Sequence, residues 1–348
     1  MSHQERVLAI DIGAGTQDIL LYEEDASIEN SVQLVLPSPT VQVARQIRQA
    51  TDAGSDIFLT GVTMGGGPCT KALKEHLNKG LKAMATPQAA ATFDDDLDVV
   101  KSMGVEIVSA PPPGAKRIHL SDVNWDAFHR VFELFEIEPP TSLAIAVQDH
   151  GRPPKGESDR VFRFQLWRKF VMSGGDLQGL GYREVPPFLT RMTAVKQMVP
   201  HAFLMDTASA AIWGCLCDPW VNRQMKTKGC LIVNVGNGHT LGALIHKGRM
   251  WGLFEHHTRL LDADSLGFYL DKLQRGAITN EEVFADGGHG AFVHPDMPRG
   301  PGMFAAIAVT GPNRAKAADL GFHLANPYGD MMLTGCFGLL AATGFLPI

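Results

Sequence analysis

Two short glycine turns, each set between a pair of apolar runs, constrain this chain more than any other feature. The first lies in Ala9-Ile10-Asp11-Ile12-Gly13-Ala14-Gly15-Thr16-Gln17-Asp18, where Val7 to Ile12 and Gln17 to Tyr22 read as the strands of a hairpin. Glycines in such a turn carry no Cβ, so backbone N–H groups can approach an anion closely. Asp11 ends the first strand, where it can orient a metal-bound water, because magnesium takes oxygen ligands and keeps several waters. Thr16 adds a hydroxyl. Alone, the segment would suit an ordinary hairpin equally well. A second copy much later in the chain shifts that balance: Cys230 to Val235, the turn Gly236-Asn237-Gly238-His239-Thr240, and a further apolar run from Leu241. Two such hairpins imply a clamp on phosphate.

The segments between and after the hairpins continue the pattern. Asp206-Thr207-Ala208-Ser209-Ala210-Ala211-Ile212-Trp213-Gly214 reads as a helix on which Ala208, Ala211 and Cys215 share one stripe, and small side chains there let helix backbones cross closely. Ala308-Val309-Thr310-Gly311-Pro312-Asn313-Arg314 is a strand ending in small residues, and Asn326-Pro327-Tyr328-Gly329-Asp330 precedes a helix carrying Gly335, Gly338 and Ala342. In this order the segments resemble the superfamily of actin, sugar kinases and heat-shock chaperone ATPase domains: two phosphate motifs, an adenosine motif and two connecting helices.

The resemblance implies an α/β fold of two ribonuclease H-like (actin-like ATPase) domains with a nucleotide cleft between them. Residues 1–204 would form the first domain, with a subdomain inserted around 61–140; residues 205–348 would form the second, its C-terminal helix packing back at the hinge. It also implies ATP and Mg2+ as ligands. Asp11 would serve the metal; Gly13, Ala14, Gly15 and Thr16, with Gly236, Asn237, Gly238, His239 and Thr240, would serve the phosphates; Gly311 and Pro312 would lie against the nucleoside. Lys272 and Arg275, on the polar side of a helix from Asp262 to Gly276, would approach adenine and ribose, or form a solvated helix face. Asp149, at a strand end, and Asp206, at the first connecting helix, match the places from which an acid assists attack on the terminal phosphate. Asp206 suits a helix N-cap equally well, and Asp149 a loop acid. Asn234 stands where the second hairpin usually has an aspartate, which removes a carboxylate and points to slow catalysis or to a nucleotide-sensing module that binds a partner.

The whole sequence also resembles a prokaryotic family labelled pyruvate formate-lyase activating enzyme-like. Radical-generating activases need a C-x-x-x-C-x-x-C spacing to hold an iron-sulfur cluster, and Cys69, Cys215, Cys217, Cys230 and Cys336 do not supply it. Scattered in this way they read as reduced, buried thiols. At 348 residues and a net charge of −6, the chain is long enough for two cores and gives no electrostatic reason to bind nucleic acid. Its N-terminus lacks a cleavable signal pattern and no apolar run is long enough to span a bilayer, so a cytoplasmic location is expected. The acceptor, whether a small molecule or a protein, is not legible, and a homodimer stays open.

Other chemistry-bearing groups cluster in sequence. Glu255-His256-His257 could bind a transition metal, but adjacent side chains diverge, so further ligands such as His289 or His294 would be needed. Gly65-Gly66-Gly67, before a helix starting near Pro68, could hold an anion or be an ordinary turn. Arg152, Arg160, Arg163, Arg168, Arg183 and Arg191 read as solvated helix faces in preference to an anion site.

Overall fold

The first hairpin forms where its apolar alternation places it. In the computed structural model, which describes residues 5–348, strand Arg6–Ile12 pairs antiparallel with Thr16–Glu23, setting Asp11 opposite Asp18. Thr16–Glu23 pairs antiparallel with Val32–Pro37 on its other side. Arg6–Ile12 also lies parallel to Ser142–Val147, which lies parallel to Phe203–Met205. Central position explains the composition: Leu8, Ala9 and Ile10 are at most 1% exposed, as a strand covered on both faces requires.

The second hairpin repeats the arrangement. Cys230–Val235 pairs antiparallel with His239–His246, which pairs antiparallel with Arg249–His257. On the other side Cys230–Val235 lies parallel to Ala306–Thr310, and that strand to His323–Leu324. Both six-stranded sheets thus carry three antiparallel strands followed by two parallel ones, the ribonuclease H-like order, each with one extra edge strand. The fold is two ribonuclease H-like domains of the actin-like ATPase type.

A four-stranded parallel sheet, ordered Val105–Ile107, Ala83–Ala85, Ile57–Gly61 and Lys116–Leu120, has a core of its own that includes Ile47, Leu59, Leu73, Val100 and Ile118. This sheet therefore starts at Ile57, ahead of the expected insertion. The helix Trp125–Leu134 does not join it: Phe128 and Phe132 pack with Leu8, Ile10 and Ile145 under the first sheet.

Two buried helices, Thr207–Leu216 and Thr334–Ala342, cross beneath both hairpins. They meet backbone to backbone: a Cβ at Gly214 would overlap the Thr334 carbonyl, and one at Gly338 the Ala210 carbonyl. The sequence stripe predicted small residues here, but Gly214, which makes one of the closest approaches, was not on it. All five cysteines are free thiols, four of them buried. No helix among the described residues is long and apolar enough to cross a membrane.

Candidate functional site

Each glycine turn is closed by its own backbone, Gly13 N–H to the Thr16 carbonyl at 2.9 Å and Gly236 N–H to the His239 carbonyl at 3.0 Å. The turns face each other directly. A Cβ at Gly15 would stand 2.6 Å from Asn237 Nδ2, and one at Gly238 would stand 3.6 Å from the Ala14 methyl. Asn313 braces the second turn by donating to the Gly236 carbonyl at 3.1 Å and to Asn237 Oδ1 at 3.3 Å. The paired turns form a partition. Below it lies a cavity of about 90 Å3 lined by Asp11, Thr16, Asp18, Asn234, Pro312 and Gly335 among others. Above it opens a cleft of about 1710 Å3, walled by Gly65-Gly66-Gly67, Asp94-Asp95-Asp96, and the segment from Gln148 to Asp159.

Asp11 and Asp18 converge on the small cavity, and one carboxylate oxygen of each (Oδ1) is buried without a hydrogen-bond partner. Burial, then the neighbouring Asp18 and Asp206, push the Asp11 carboxyl well above its usual range, with Arg191 opposing. Burial pushes Asp18 up to about 7, the Thr16 hydroxyl opposing and Asp330 adding to the rise. Asp11 was legible in the sequence; Asp18 was not singled out, although the hairpin register alone places the two at equal distances from the turn.

A pH dependence follows. In the metal-free protein Asp18 keeps its proton in the fold until about pH 7, whereas the unfolded chain releases it near 3.8, so the native state binds more protons across that window and stability falls as pH rises through it. Asp18→Asn removes that penalty. It should raise the melting temperature of the metal-free protein at pH 8, by roughly 2–4 kcal/mol of stability, and have a much smaller effect at pH 5. An equal gain at both pH values in thermal melts would show that Asp18 ionises normally.

The two candidate acids are held differently from a free general base. Asp206 caps helix Thr207–Leu216 by accepting from Ala208 N–H at 3.0 Å, and it accepts from Asp149 N–H at 3.2 Å. Arg163 adds a fork, Nη1 to Oδ2 at 3.0 Å and Nη2 to Oδ1 at 3.2 Å, so both Asp206 oxygens are fully engaged. Asp149 accepts from Gly151 N–H at 2.9 Å and Met192 N–H at 2.9 Å; burial nevertheless raises its carboxyl against those two bonds. Asp149 lines the wide cleft, whereas Asp206 lines neither the cleft nor the small cavity.

Arg163 corrects the reading of the arginines as solvated. It is 3% exposed and also donates from Nε to Glu255 Oε2 at 2.6 Å, joining helix Asp159–Met172 to strand Arg249–His257 across the two domains. Burial alone would depress it, but Asp206 and Glu255 outweigh that and hold its charge. Arg191 makes a second fork, with both contacts to the buried Asp122 at 2.8 Å, and donates to the Gln148 carbonyl at 2.8 Å. Asp122 in turn accepts from Gly65 N–H at 3.4 Å, which ties the triple-glycine loop to the cleft floor. Arg152, Arg168 and Arg183 are exposed.

A set of imidazoles packs where the partition meets the wide cleft. His239, inside the second glycine turn, lies 4.6 Å from His289, 4.9 Å from His257 and 5.7 Å from His150, ring centre to ring centre. His150 stacks on His289 at 5.1 Å. Burial is the first cause holding all of them below the usual histidine range, with His289 near 3 and His257 near 4. Glu255 stands among them; burial would raise it, but Arg163, His289 and His239 together carry it below the usual carboxylate range. His256, by contrast, turns away to stack on Tyr269, and His294 packs against Trp251. Sequence reading named Glu255 and His289 but had no signal for His150 or for the inward turn of His239.

The remaining predicted positions divide. Gly311 (φ +98°) is pressed against Asn234 and Val235, where a Cβ would lie 2.6 Å from Asn234 Oδ1, and Pro312 lines the small cavity. Thr240 faces inward, its hydroxyl 3.0 Å from that of Thr258. Lys272 pairs with Glu282, and Arg275 with Asp271 at 2.7 Å; neither lines the cavity or the cleft.

Fold and site together define an actin-like ATPase fold whose two halves meet at paired glycine hairpins. Residues 64–316 match the family described as "Putative pyruvate format-lyase activating enzyme (DUF1786)", and the chain belongs to that family. No curated protein sequence matches it. Similar solved structures include a Bacteroides thetaiotaomicron protein with an actin-like ATPase fold and unknown function, at 8% identity over 96% of each chain and a TM-score of 0.40. The ethanolamine utilization protein EutJ from Carboxydothermus hydrogenoformans is similar at 12% identity over 95% of this chain and 88% of its own, with a TM-score of 0.33. An exopolyphosphatase-like protein is 10% identical over 89% of this chain, which spans 66% of that protein, with a TM-score of 0.30. Likenesses this remote add nothing about chemistry, and the fold assignment rests on the duplicated strand order.

Proposed function

We propose that this chain binds ATP with Mg2+ between its two glycine hairpins and acts as an ATP-dependent phosphotransferase or ATPase. The observation that carries this reading is the cavity under the apposed turns, into which two carboxylates bring buried oxygens that have no partner. An all-oxygen donor pair of that kind suits a hard divalent cation. Asp11 and Asp18 would hold Mg2+, which when bound neutralises polyphosphate charge. The chain's own backbone would do the rest: with the Gly13 and Gly236 N–H groups closing the turns, the N–H groups of Ala14, Gly15, Asn237 and Gly238 are left for the anion. At about 90 Å3 the cavity is smaller than a nucleotide, so a nucleotide held at the turns would extend beyond it.

Calorimetric titration of ATP, with and without Mg2+, into wild type and Asp11→Ala tests this reading. Magnesium-dependent binding weakened about 100-fold or more by the substitution is the expected result. No binding by folded wild type would sink the proposal.

A second reading, a nucleotide-sensing module that recruits a partner and turns over slowly, is favoured by the commitment of Asp149 and Asp206 to structural hydrogen bonds and by neutral Asn234 in the cavity wall. Phosphate release measured beside the titration, in wild type and Asn234→Asp, separates the two. Enzyme-like turnover in wild type removes the sensor reading; turnover that appears only in the variant supports it. The activity in the family's description finds no support in the thiols: four are buried, and the fifth, Cys217, is packed at the helix crossing.

A further inference from the structure

We infer that His150, His239, His289 and Glu255 form a binding site for one divalent transition ion of zinc's class, closed by both domains and open toward the wide cleft. Each residue offers one ligand atom, and these atoms lie within 4.8 Å of one another. A tetrahedral ion about 2.1 Å from each ligand sets ligand separations of about 3.4 Å, so small ring rotations complete the sphere.

Three further observations point to a ligand. His289 is 1% exposed, and its Nδ1 is buried without a partner, an expensive state for a polar atom unless something fills it. Gln148 Nε2 faces Glu255 Oε1 at 3.3 Å and two ring nitrogens, His239 Nδ1 and His150 Nε2 at 3.5 Å, whose role as donor or acceptor is set by tautomer. In the tautomers that turn these nitrogens' lone pairs inward, the pocket holds more lone pairs than protons, which a cation corrects. Glu255 is also pre-aimed: Arg163 grips Oε2 at 2.6 Å, leaving Oε1 turned toward the imidazoles, the kind of anchoring that fixes a metal-ligating carboxylate.

The donor set selects the ion. Three imidazoles and one carboxylate suit zinc, iron(II), manganese or nickel and disfavour magnesium, so this site is chemically distinct from the oxygen pair at Asp11 and Asp18. Topology adds a consequence. His150 follows strand Ser142–Val147 of the first domain, whereas His239, Glu255 and His289 belong to the second, so an ion here ties the halves together. His150, His239 and His257 line the wide cleft, so the ion's accessible side faces the space in which a small anionic or carbonyl-bearing molecule would sit.

The test uses the full chain, stripped with chelator and then dialysed against Zn2+ or, for spectroscopy, Co2+. The expected result is about one equivalent retained, visible d–d bands with Co2+, and a higher melting temperature on loading. His150→Ala and His239→Ala should each weaken the ion by at least about 10-fold with the circular dichroism spectrum unchanged. The exposed His201→Ala and the cavity variant Asp11→Ala should bind as wild type does. Less than a tenth of an equivalent in folded wild type, or unchanged affinity in the His150→Ala/His239→Ala double variant, would overturn the assignment. Because ATP is absent throughout, the outcome is independent of the nucleotide reading.

Discussion

Arg163→Met should cost roughly 3–5 kcal/mol of stability, measured by denaturant unfolding at neutral pH, which is among the largest losses expected of any single substitution in this chain. The guanidinium is 3% exposed and donates to Asp206 through two nitrogens, to Glu255 through Nε, and to the Asp149 carbonyl at 2.9 Å. Methionine fills similar volume, so the loss is electrostatic: Asp206 and Glu255 remain buried with no compensating charge. Removing one of those charges as well should recover part of the loss, so Arg163→Met/Glu255→Gln should be more stable than Arg163→Met alone. A loss below about 1 kcal/mol would mean that water reaches this network and that the pairs behave as surface ones. Helix Asp159–Met172 and strand Arg249–His257 belong to different domains, so any separation of the two at this point would leave buried acids unpaired.

The duplicated hairpins were legible because glycine turns between apolar runs have few structural alternatives, and they fixed both the strand order and Asp11. What stayed hidden was set by long-range contacts that local pattern does not encode. Arg163 sits on a helix whose apolar periodicity is weak, so its burial follows from Asp206 and Glu255, acids 43 and 92 positions away. His239 looked like one more turn residue, and its side chain gains meaning only when His150 and His289 arrive from other loops. Asp206 and Asp149 show the converse: their positions matched an acid's place in the resemblance, yet both Asp206 oxygens are taken by backbone N–H groups and Arg163, and each Asp149 oxygen already accepts from a backbone N–H. Lys272 and Arg275, which the sequence left between a nucleoside contact and a solvated helix face, pair with Glu282 and Asp271.

Gly338→Val should be at least as damaging to the hinge, costing roughly 3 kcal/mol or more in the same unfolding assay. A Cβ at Gly338 would overlap the Ala210 carbonyl and approach Gly214 N to 2.7 Å, so the obstruction is backbone, which no rotamer change can relieve. The helices must move apart, and Phe337, Leu339 and Ile212, all at most 1% exposed, lose packing on both sides. Gly267→Ala provides the matched control: its Cβ, on helix Ala263–Gln274, would meet nothing closer than 3.7 Å, so helix propensity should make it neutral or stabilising by up to about 1 kcal/mol. Near-equal effects of the two substitutions would show that the helices do not cross at contact distance. Gly335→Ala carries the argument into the site, because its Cβ would overlap the Asp11 carboxylate. On the proposed function that variant should weaken Mg2+-dependent ATP binding more than it lowers stability, which would make the close helix crossing the means by which Asp11 is held at the cavity.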